Sequence, residues 1–269
     1  MIWENKIRTA LGMVALSALA ACGGGGDGDG TDESASGSTP VATAEGLYTG
    51  TTDIGQSMTG LMLDNGNYWV LYSEPNNSAA VGGVIQGTSN SSSGTFTSSD
   101  GRDFNFEGLG INNVSIAGTY AAGQSIAGKL DYGRGQPTAF TGTYDARYTQ
   151  PATLAAIAGS YTGQSATAGE KEPASFTVSP TGSVSGVGAT GCRFTGNVSP
   201  RGTVAVYDLS LSFLGGICEQ GSATINGVAY LDADGKRLFA AALDASRSNG
   251  AVFVGAKEAA ATNGGSHIQ

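Results

Sequence analysis

Histidine is nearly absent from this chain. Among 269 residues the sequence contains a single histidine, His267, close to its end. A nucleophilic triad needs an imidazole held within hydrogen-bond reach of the nucleophile. Histidine is also the usual protein ligand of zinc and of haem iron. We therefore expect His267 to be a bystander, and the sequence predicts neither a catalytic triad nor a metal site.

Charge is scarce as well. Charged residues make up 13% of the chain, and the net charge is −9. An acidic surface disfavours nucleic acids and anionic lipid head groups as partners. Glycine is abundant instead, with 44 residues against a usual share of about 7%. This composition favours a turn-rich, all-β protein over a helical enzyme, so we expect a protein that is not an enzyme and binds no cofactor.

Only three cysteines are present, Cys22, Cys192 and Cys218. If Cys22 carries a lipid, the remaining pair is even in number, which indicates one disulfide in an exported protein. Its loop of about 25 residues would contribute about 3 kcal/mol by restricting the unfolded chain. Two unrelated buried thiols are the alternative. No Cys-x-x-Cys spacing points to a metal or redox site.

The first 21 residues have the layout of a secretory signal. Lys6 and Arg8 precede an apolar run that ends in small residues, and this run is shorter than the roughly 20 apolar residues of a membrane-spanning helix. The Leu-Ala-Ala-Cys sequence ending at Cys22 resembles the lipobox of bacterial lipoproteins. That resemblance implies acylation of Cys22 and, because Gly23 follows, an outer-membrane location. An ordinary signal peptide is the alternative.

Two segments lack apolar periodicity. Residues 22–45, the lipidated cysteine and a Gly-, Ser- and Asp-rich stretch, are typical of a flexible tether with a reach of about 25 Å. Residues 259–269 are small and polar, and we expect them to be disordered. The tether would hold the folded part of the chain away from the membrane.

The remaining sequence divides into two similar units. The segment Gly-Leu-Tyr-Thr-Gly at 46–50 is echoed by Gly-Ser-Tyr-Thr-Gly at 159–163, so we expect one domain over 46–150 and another over 151–258. Each should be an antiparallel meander of about eight strands closed into a small barrel. A short helix within 151–158 should join the units or plug one barrel end. One long barrel remains the alternative.

Period-two alternation and turn dipeptides support this division. Alternation runs over 125–132, 203–213 and 223–231, which indicates strands with one polar face. Asp100-Gly101 and Asp234-Gly235 are typical of hairpin turns. A Gly-x-Gly-x-x-Gly match at 186–191 is flanked by strands on both sides, whereas a dinucleotide site requires a following helix.

Paired carboxylates are the remaining candidates for catalytic groups. Glycoside hydrolysis needs two acids across roughly 5–9 Å, and Asp103 with Glu107 or Asp232 with Asp234 could supply them. We favour a polar strand face for the first pair and a hairpin turn for the second. The sequence therefore assigns no catalytic residue.

The strongest strand-forming run is Tyr-Trp-Val-Leu-Tyr at 68–72. Tyr68 and Tyr72 share one face with Val70, and Trp69 lies on the other. One set should fill the barrel and the other cover it, although Tyr68, Trp69 and Tyr72 are also candidates for an aromatic binding patch, because such side chains are common interface anchors.

The seven residues 251–257, Ala-Val-Phe-Val-Gly-Ala-Lys, resemble the closing strand of transferrin-binding-protein-B-type β-barrel lipoproteins. The plan of lipid, glycine-rich tether and small barrels is similar too. This resemblance implies a binding lipoprotein exposed at the envelope surface. We expect a monomeric binding or adhesion module, anchored to the membrane through Cys22, with a protein or a small apolar ligand as partner. A lipocalin-like carrier and an envelope-structural lipoprotein are the alternatives.

Overall fold

The structure, a computed structural model, describes residues 43–259. Within this range it is an all-β structure with seventeen strands, one 3₁₀ turn at Ala146–Thr149 and one short helix, α1, at Leu154–Ile157. The strands of the first half are β1 Gly46–Thr52, β2 Ser57–Met62, β3 Asn67–Glu74, β4 Asn77–Thr88, β5 Asn90–Ser92, β6 Thr95–Asn105, β7 Gly110–Ala121, β8 Ser125–Asp131 and β9 Thr138–Tyr144. Those of the second half are β10 Gly159–Ala166, β11 Lys171–Val178, β12 Ser183–Gly188, β13 Arg193–Pro200, β14 Tyr207–Phe213, β15 Thr224–Leu231, β16 Arg237–Leu243 and β17 Gly250–Lys257.

These strands form two closed antiparallel barrels of eight strands each. In the first barrel β4-β3-β2-β1-β9-β8-β7-β6 are neighbours, and pairing between β4 and β6 closes the ring, with the short β5 added at the edge of β6. The second barrel runs β10 to β17 in chain order and closes by pairing of β10 with β17. The predicted pair of barrels is confirmed, and the single long barrel is excluded.

The two Gly-x-Tyr-Thr-Gly segments open β1 and β10 and make matching contacts. The Tyr48 hydroxyl donates to the Ala44 carbonyl at 3.1 Å, and the Tyr161 hydroxyl donates to the Ile157 carbonyl at 2.7 Å. In each barrel the last glycine of the segment lies against the last strand of that barrel, which is β9 for Gly50 and β17 for Gly163. A Cβ at Gly50 would stand 1.8 Å from the Thr141 carbonyl oxygen. Each tyrosine thus fixes the chain that enters its barrel.

The helix predicted within 151–158 exists but is only four residues long. The Thr153 hydroxyl accepts a hydrogen bond from the Ala156 N–H, which makes Thr153 the N-cap. Ile157 is fully buried in the core of the second barrel. The helix therefore both follows the first barrel in the chain and plugs one end of the second.

Two predicted turns have different outcomes. Asp234-Gly235 lies in the β15–β16 hairpin, where the Asp232 carboxylate accepts the N–H groups of Lys236 and Arg237. The Asp100-Gly101 prediction is wrong, because β6 continues through these residues with a register shift between Ser98 and Gly101. This bulge bends β6 instead of ending it.

The barrels pack against each other through an apolar cluster that Trp69, Val84 and Phe104 share with Val228 and Val254. Three ion pairs surround it. These pairs join Glu74 to Lys171 at 3.0 Å, Asp64 to Arg201 at 2.7 Å and Asp100 to Arg247 at 3.2 Å. The contact fixes the side of β3 that carries Trp69.

The predicted disulfide between Cys192 and Cys218 is present. It joins two connections and not two neighbouring strands, because Cys192 precedes β13 and Cys218 lies in the long loop between β14 and β15. The loop is thereby held against the end of the second barrel.

The predicted signal, Cys22 and His267 lie outside the described residues. Ala44 and Glu45, assigned to the end of the tether, pack on the first barrel, since Ala44 is buried and Glu45 accepts a hydrogen bond from the Tyr148 hydroxyl. Within 43–259, no helix has the length and apolarity needed to span a bilayer.

Candidate functional site

The second barrel is filled by aromatic and aliphatic side chains. Phe176 stacks on Phe253 with ring centroids 5.3 Å apart, and Phe194 contacts both Phe176 and Phe213 at 5.8 Å. Leu209, Leu211, Ile225 and Leu238 are buried in the same cluster. This interior has the character of a packed core.

The first barrel instead contains a cavity of about 550 Å³ at one end. Its mouth lies between four loops, each of which contributes one residue to the lining. These are Ile54 from the β1–β2 loop, Pro75 from β3–β4, Leu109 from β6–β7 and Arg134 from β8–β9. Ile54 is 50% exposed and Leu109 is 70% exposed. The mouth therefore carries apolar side chains in contact with solvent.

The deeper wall of the cavity is apolar. It is formed by inward-facing side chains of six different strands, which are Met58, Val70, Ile85, Ile116, Leu130 and Phe140. Alternation along each strand places these residues inside and their sequence neighbours outside. A ligand that reaches this wall would bury hydrocarbon, which contributes about 25 cal/mol per Å² of apolar surface removed from water.

One carboxylate interrupts the apolar wall. Asp103 on β6 lines the cavity and is 3% exposed. The Tyr72 hydroxyl donates to its Oδ1 at 2.7 Å, and the Tyr132 hydroxyl donates to its Oδ2 at 2.9 Å. Burial raises the pKa of Asp103, while the two tyrosine hydrogen bonds act in the opposite direction and nearby Glu107 raises it further.

Asn105 and Gly83 hold this arrangement in place. The Asn105 side-chain amide donates to the Tyr72 hydroxyl at 3.3 Å, and its oxygen accepts the N–H groups of Glu107 and Leu109. Tyr72 crosses its strand partner Gly83 so closely that a Cβ there would stand 2.2 Å from the hydroxyl oxygen. The turn at the cavity mouth and the phenol at its wall are thus coupled.

Asp103 has no cationic partner in the part of the chain that the structure describes. Among the described residues it is the only charged side chain that is fully buried, and none of the ion pairs in this part of the chain includes it. Arg134 at the mouth donates to the Asn112 side chain at 2.6 Å. Over 43–259 there is also no group of three or more His, Cys, Asp or Glu side chains that could hold a metal ion.

The structure corrects the predicted aromatic patch. Tyr68, Trp69 and Tyr72 are all buried, with 1%, 9% and 7% exposure. Trp69 packs between the barrels, and Tyr68 fills the first barrel, where its hydroxyl bonds to Ser98 at 3.0 Å. Only Tyr72 reaches the cavity. The period-two alternation is confirmed, but both faces of β3 are covered, so no surface patch results.

The position of Asp103 differs from the one that the sequence predicts. The spacing of Asp103 and Glu107 predicts a solvated strand face for both. Asp103 and Asn105 do share a face, but it is the interior face of the barrel, while Glu107 is exposed at the mouth. The register shift before Gly101 sets which side of β6 points inward, and a sequence without a visible bulge signal does not disclose it.

No protein-family model matches this sequence, and no curated protein matches it. Two solved structures are similar to it in part. A provisionally assigned outer membrane protein of Bacteroides fragilis NCTC 9343 is 12% identical, with a TM-score of 0.25, over 81% of this chain and 97% of that one. A mutant of the vaccine antigen transferrin binding protein B from Haemophilus parasuis Hp5 is 10% identical, with a TM-score of 0.29, over 76% of this chain and 54% of that one. Neither likeness bears on function.

Proposed function

We propose that this protein is a non-enzymatic binding protein of the bacterial envelope that takes up a small amphipathic molecule in its first barrel. The observation that carries this proposal is the cavity of about 550 Å³ between Ile54 and Leu109 at the mouth and Ile116 at the wall. Small-molecule sites typically measure about 300–1,000 Å³ and combine an apolar lining with a few placed polar groups. The Asp103 network supplies those polar groups.

The proposed binding site is the internal cavity and not a surface patch for adhesion. The aromatic residues that would have formed the patch are buried. The second barrel is occupied at its centre by a cluster of buried aromatic and aliphatic side chains. Its ion pairs with the first barrel suit a rigid support for β3 and β4, which carry Tyr72 and Ile85 of the cavity wall.

Anchoring through Cys22 is part of the proposal and rests on the lipobox alone. Acyl chains contribute about 0.8 kcal/mol per buried CH₂, so two or more chains give stable attachment. Palmitate labelling should mark the wild type and not Cys22→Ala. An unlabelled wild type would contradict the anchor without affecting the cavity.

Titration with 4-phenylbutanol, followed by ligand-observed NMR, tests the binding site. This neutral probe should bind the wild type saturably. Ile116→Trp places an indole in the cavity and should abolish binding, and Val70→Phe, a second filling variant, should weaken it. Ala117→Trp is the matched control, because Ala117 is the next residue of β7 and is exposed on the outer face. Equal binding by Ile116→Trp and Ala117→Trp would overturn the proposal.

A further inference from the structure

The strongest unexplained feature of the cavity is the state of Asp103. Its carboxylate is 3% exposed and lies among apolar side chains. Each oxygen accepts one hydrogen bond, and both donors are neutral phenols. Because a carboxylate oxygen has room for about two donors, each retains capacity for another.

Burial of a charge is costly unless it is paired. Within residues 43–259 no cation pairs with Asp103, since the cationic group that lines the cavity, Arg134, donates to Asn112 at the mouth. The other carboxylate of the lining, Glu107, adds negative charge. The cavity lining therefore contains a negative charge without a paired cation, at the Asp103 carboxylate.

Resting on the proposed function, we infer that the ligand is an organic ammonium, a molecule with a protonated amine on an apolar body. The ammonium N–H groups donate to Asp103, and the body lies against Ile85, Ile116 and Phe140. The hydroxyl groups of Tyr72 and Tyr132 hold the carboxylate in place for this contact.

The geometry disfavours the two other ligand classes of the same shape. A carboxylic acid would bring a like charge to a buried carboxylate, which is repulsive at close range. An alcohol would donate a single neutral hydrogen bond, and hydrogen bonds with ionised partners are roughly twice as strong as neutral ones. Selectivity should therefore follow the order amine, alcohol, acid.

The test compares 4-phenylbutylamine, 4-phenylbutanol and 4-phenylbutyrate by calorimetric titration of the full chain at pH 7. These probes share the hydrocarbon body and differ in the head group. The amine should bind at least about tenfold more tightly than the alcohol, which corresponds to about 1.4 kcal/mol. In Asp103→Asn this ratio should fall to about two or below, while the alcohol retains its affinity. Asp53→Asn, the same change at an exposed carboxylate that is not part of the cavity lining, is the control and should keep the preference.

A second measurement does not depend on the variant's folding. In the wild type, nuclear Overhauser effects from the methylene group next to the ammonium should reach ring protons of Tyr72 and Tyr132. Equal affinities for amine and alcohol, or an amine bound elsewhere, would overturn the ammonium inference and leave the cavity proposal standing. Failure of all three probes to bind the wild type would count against the proposed function itself.

Discussion

The two barrels have the same number of strands in the same up-and-down order. In each, a tyrosine of the first strand donates a hydrogen bond to the chain that enters the barrel. Their interiors, however, differ. In the second barrel a row of phenylalanine rings occupies the centre, and a disulfide holds one of its loops. In the first, aliphatic side chains line a cavity and a carboxylate lies inside it. Barrel closure is thus set by the backbone, whereas the interior is set by side-chain size.

This difference suggests a division of labour. Closely packed interiors lose stability when atoms are removed, because the gap is only partly filled by relaxation. A wall that already faces a cavity has fewer contacts to lose. We therefore expect the second barrel to contribute most of the stability and the first barrel to provide the proposed binding site.

The largest contrast should come from the same substitution in both barrels. Ile225→Ala removes a fully buried side chain from the packed core and should cost about 4 kcal/mol, whereas Ile116→Ala on the cavity wall should cost about 1–2 kcal/mol. Urea unfolding measures both. Equal costs would remove the basis for calling one interior filled and the other hollow.

Loss of the disulfide should act on the second barrel first. The Cys192→Ser/Cys218→Ser double variant should lose about 3 kcal/mol, because the unfolded chain regains the freedom of the closed loop. Amide hydrogen exchange would show faster exchange in β13 to β15, with a smaller change in β6 to β8. Uniform acceleration across both barrels would contradict a local staple.

A smaller effect is expected where a glycine makes room for the site. Gly83→Ala should displace Tyr72 and the Phe104 carbonyl, both within 2.5 Å of the added Cβ, and should cost about 2 kcal/mol with weaker probe binding. Gly60→Ala in β2 is the matched control, since its nearest atom would stand at 3.6 Å. If the two variants were alike, Gly83 would have no positioning role.

The smallest effect concerns pH. Since the folded-state pKa of Asp103 is raised, the folded chain keeps the proton of this carboxyl to a higher pH than the unfolded chain does. Its stability relative to Asp103→Asn should be greatest below about pH 4, the unfolded pKa, and should fall as pH rises through the folded pKa. Tyr72, Tyr132 and Glu107 face this carboxyl, and the two phenols stay neutral there. Thermal unfolding from pH 4 to 8 measures the difference, and a difference that grows with pH in favour of the wild type would contradict the assignment.

Much of the fold was predictable because its signals are local. The Gly-x-Tyr-Thr-Gly segments, the alternation over β14 and β15 and the cysteine count depend on nearby residues, and the two barrels and the disulfide were confirmed. The cavity was not predictable, because it depends on how eight strands meet. Ile116 and Ile225 are both isoleucines in strands with alternating apolar and polar residues. Ile116 faces the cavity, whereas Ile225 faces a packed core.

The site residues illustrate the same limit. Tyr72 was singled out as an aromatic anchor, and its place at the cavity follows only from the pairing of β3 with β4. The sequence predicts a polar outer face for Asp103, because Asp100-Gly101 is typical of a turn. In the structure these residues form a bulge in β6, which depends on the pairing of strands. The packing of Trp69 against the second barrel was likewise not predictable from the sequence, because it depends on how the two barrels meet.

Native mass spectrometry of the protein extracted from its own envelope without unfolding shows directly whether the first barrel holds a small molecule. The wild type and Ala117→Trp should each carry one small organic molecule per chain, and Ile116→Trp should carry none. A folded wild type that carries no such molecule, or an adduct that Ile116→Trp retains, would contradict the proposed binding site.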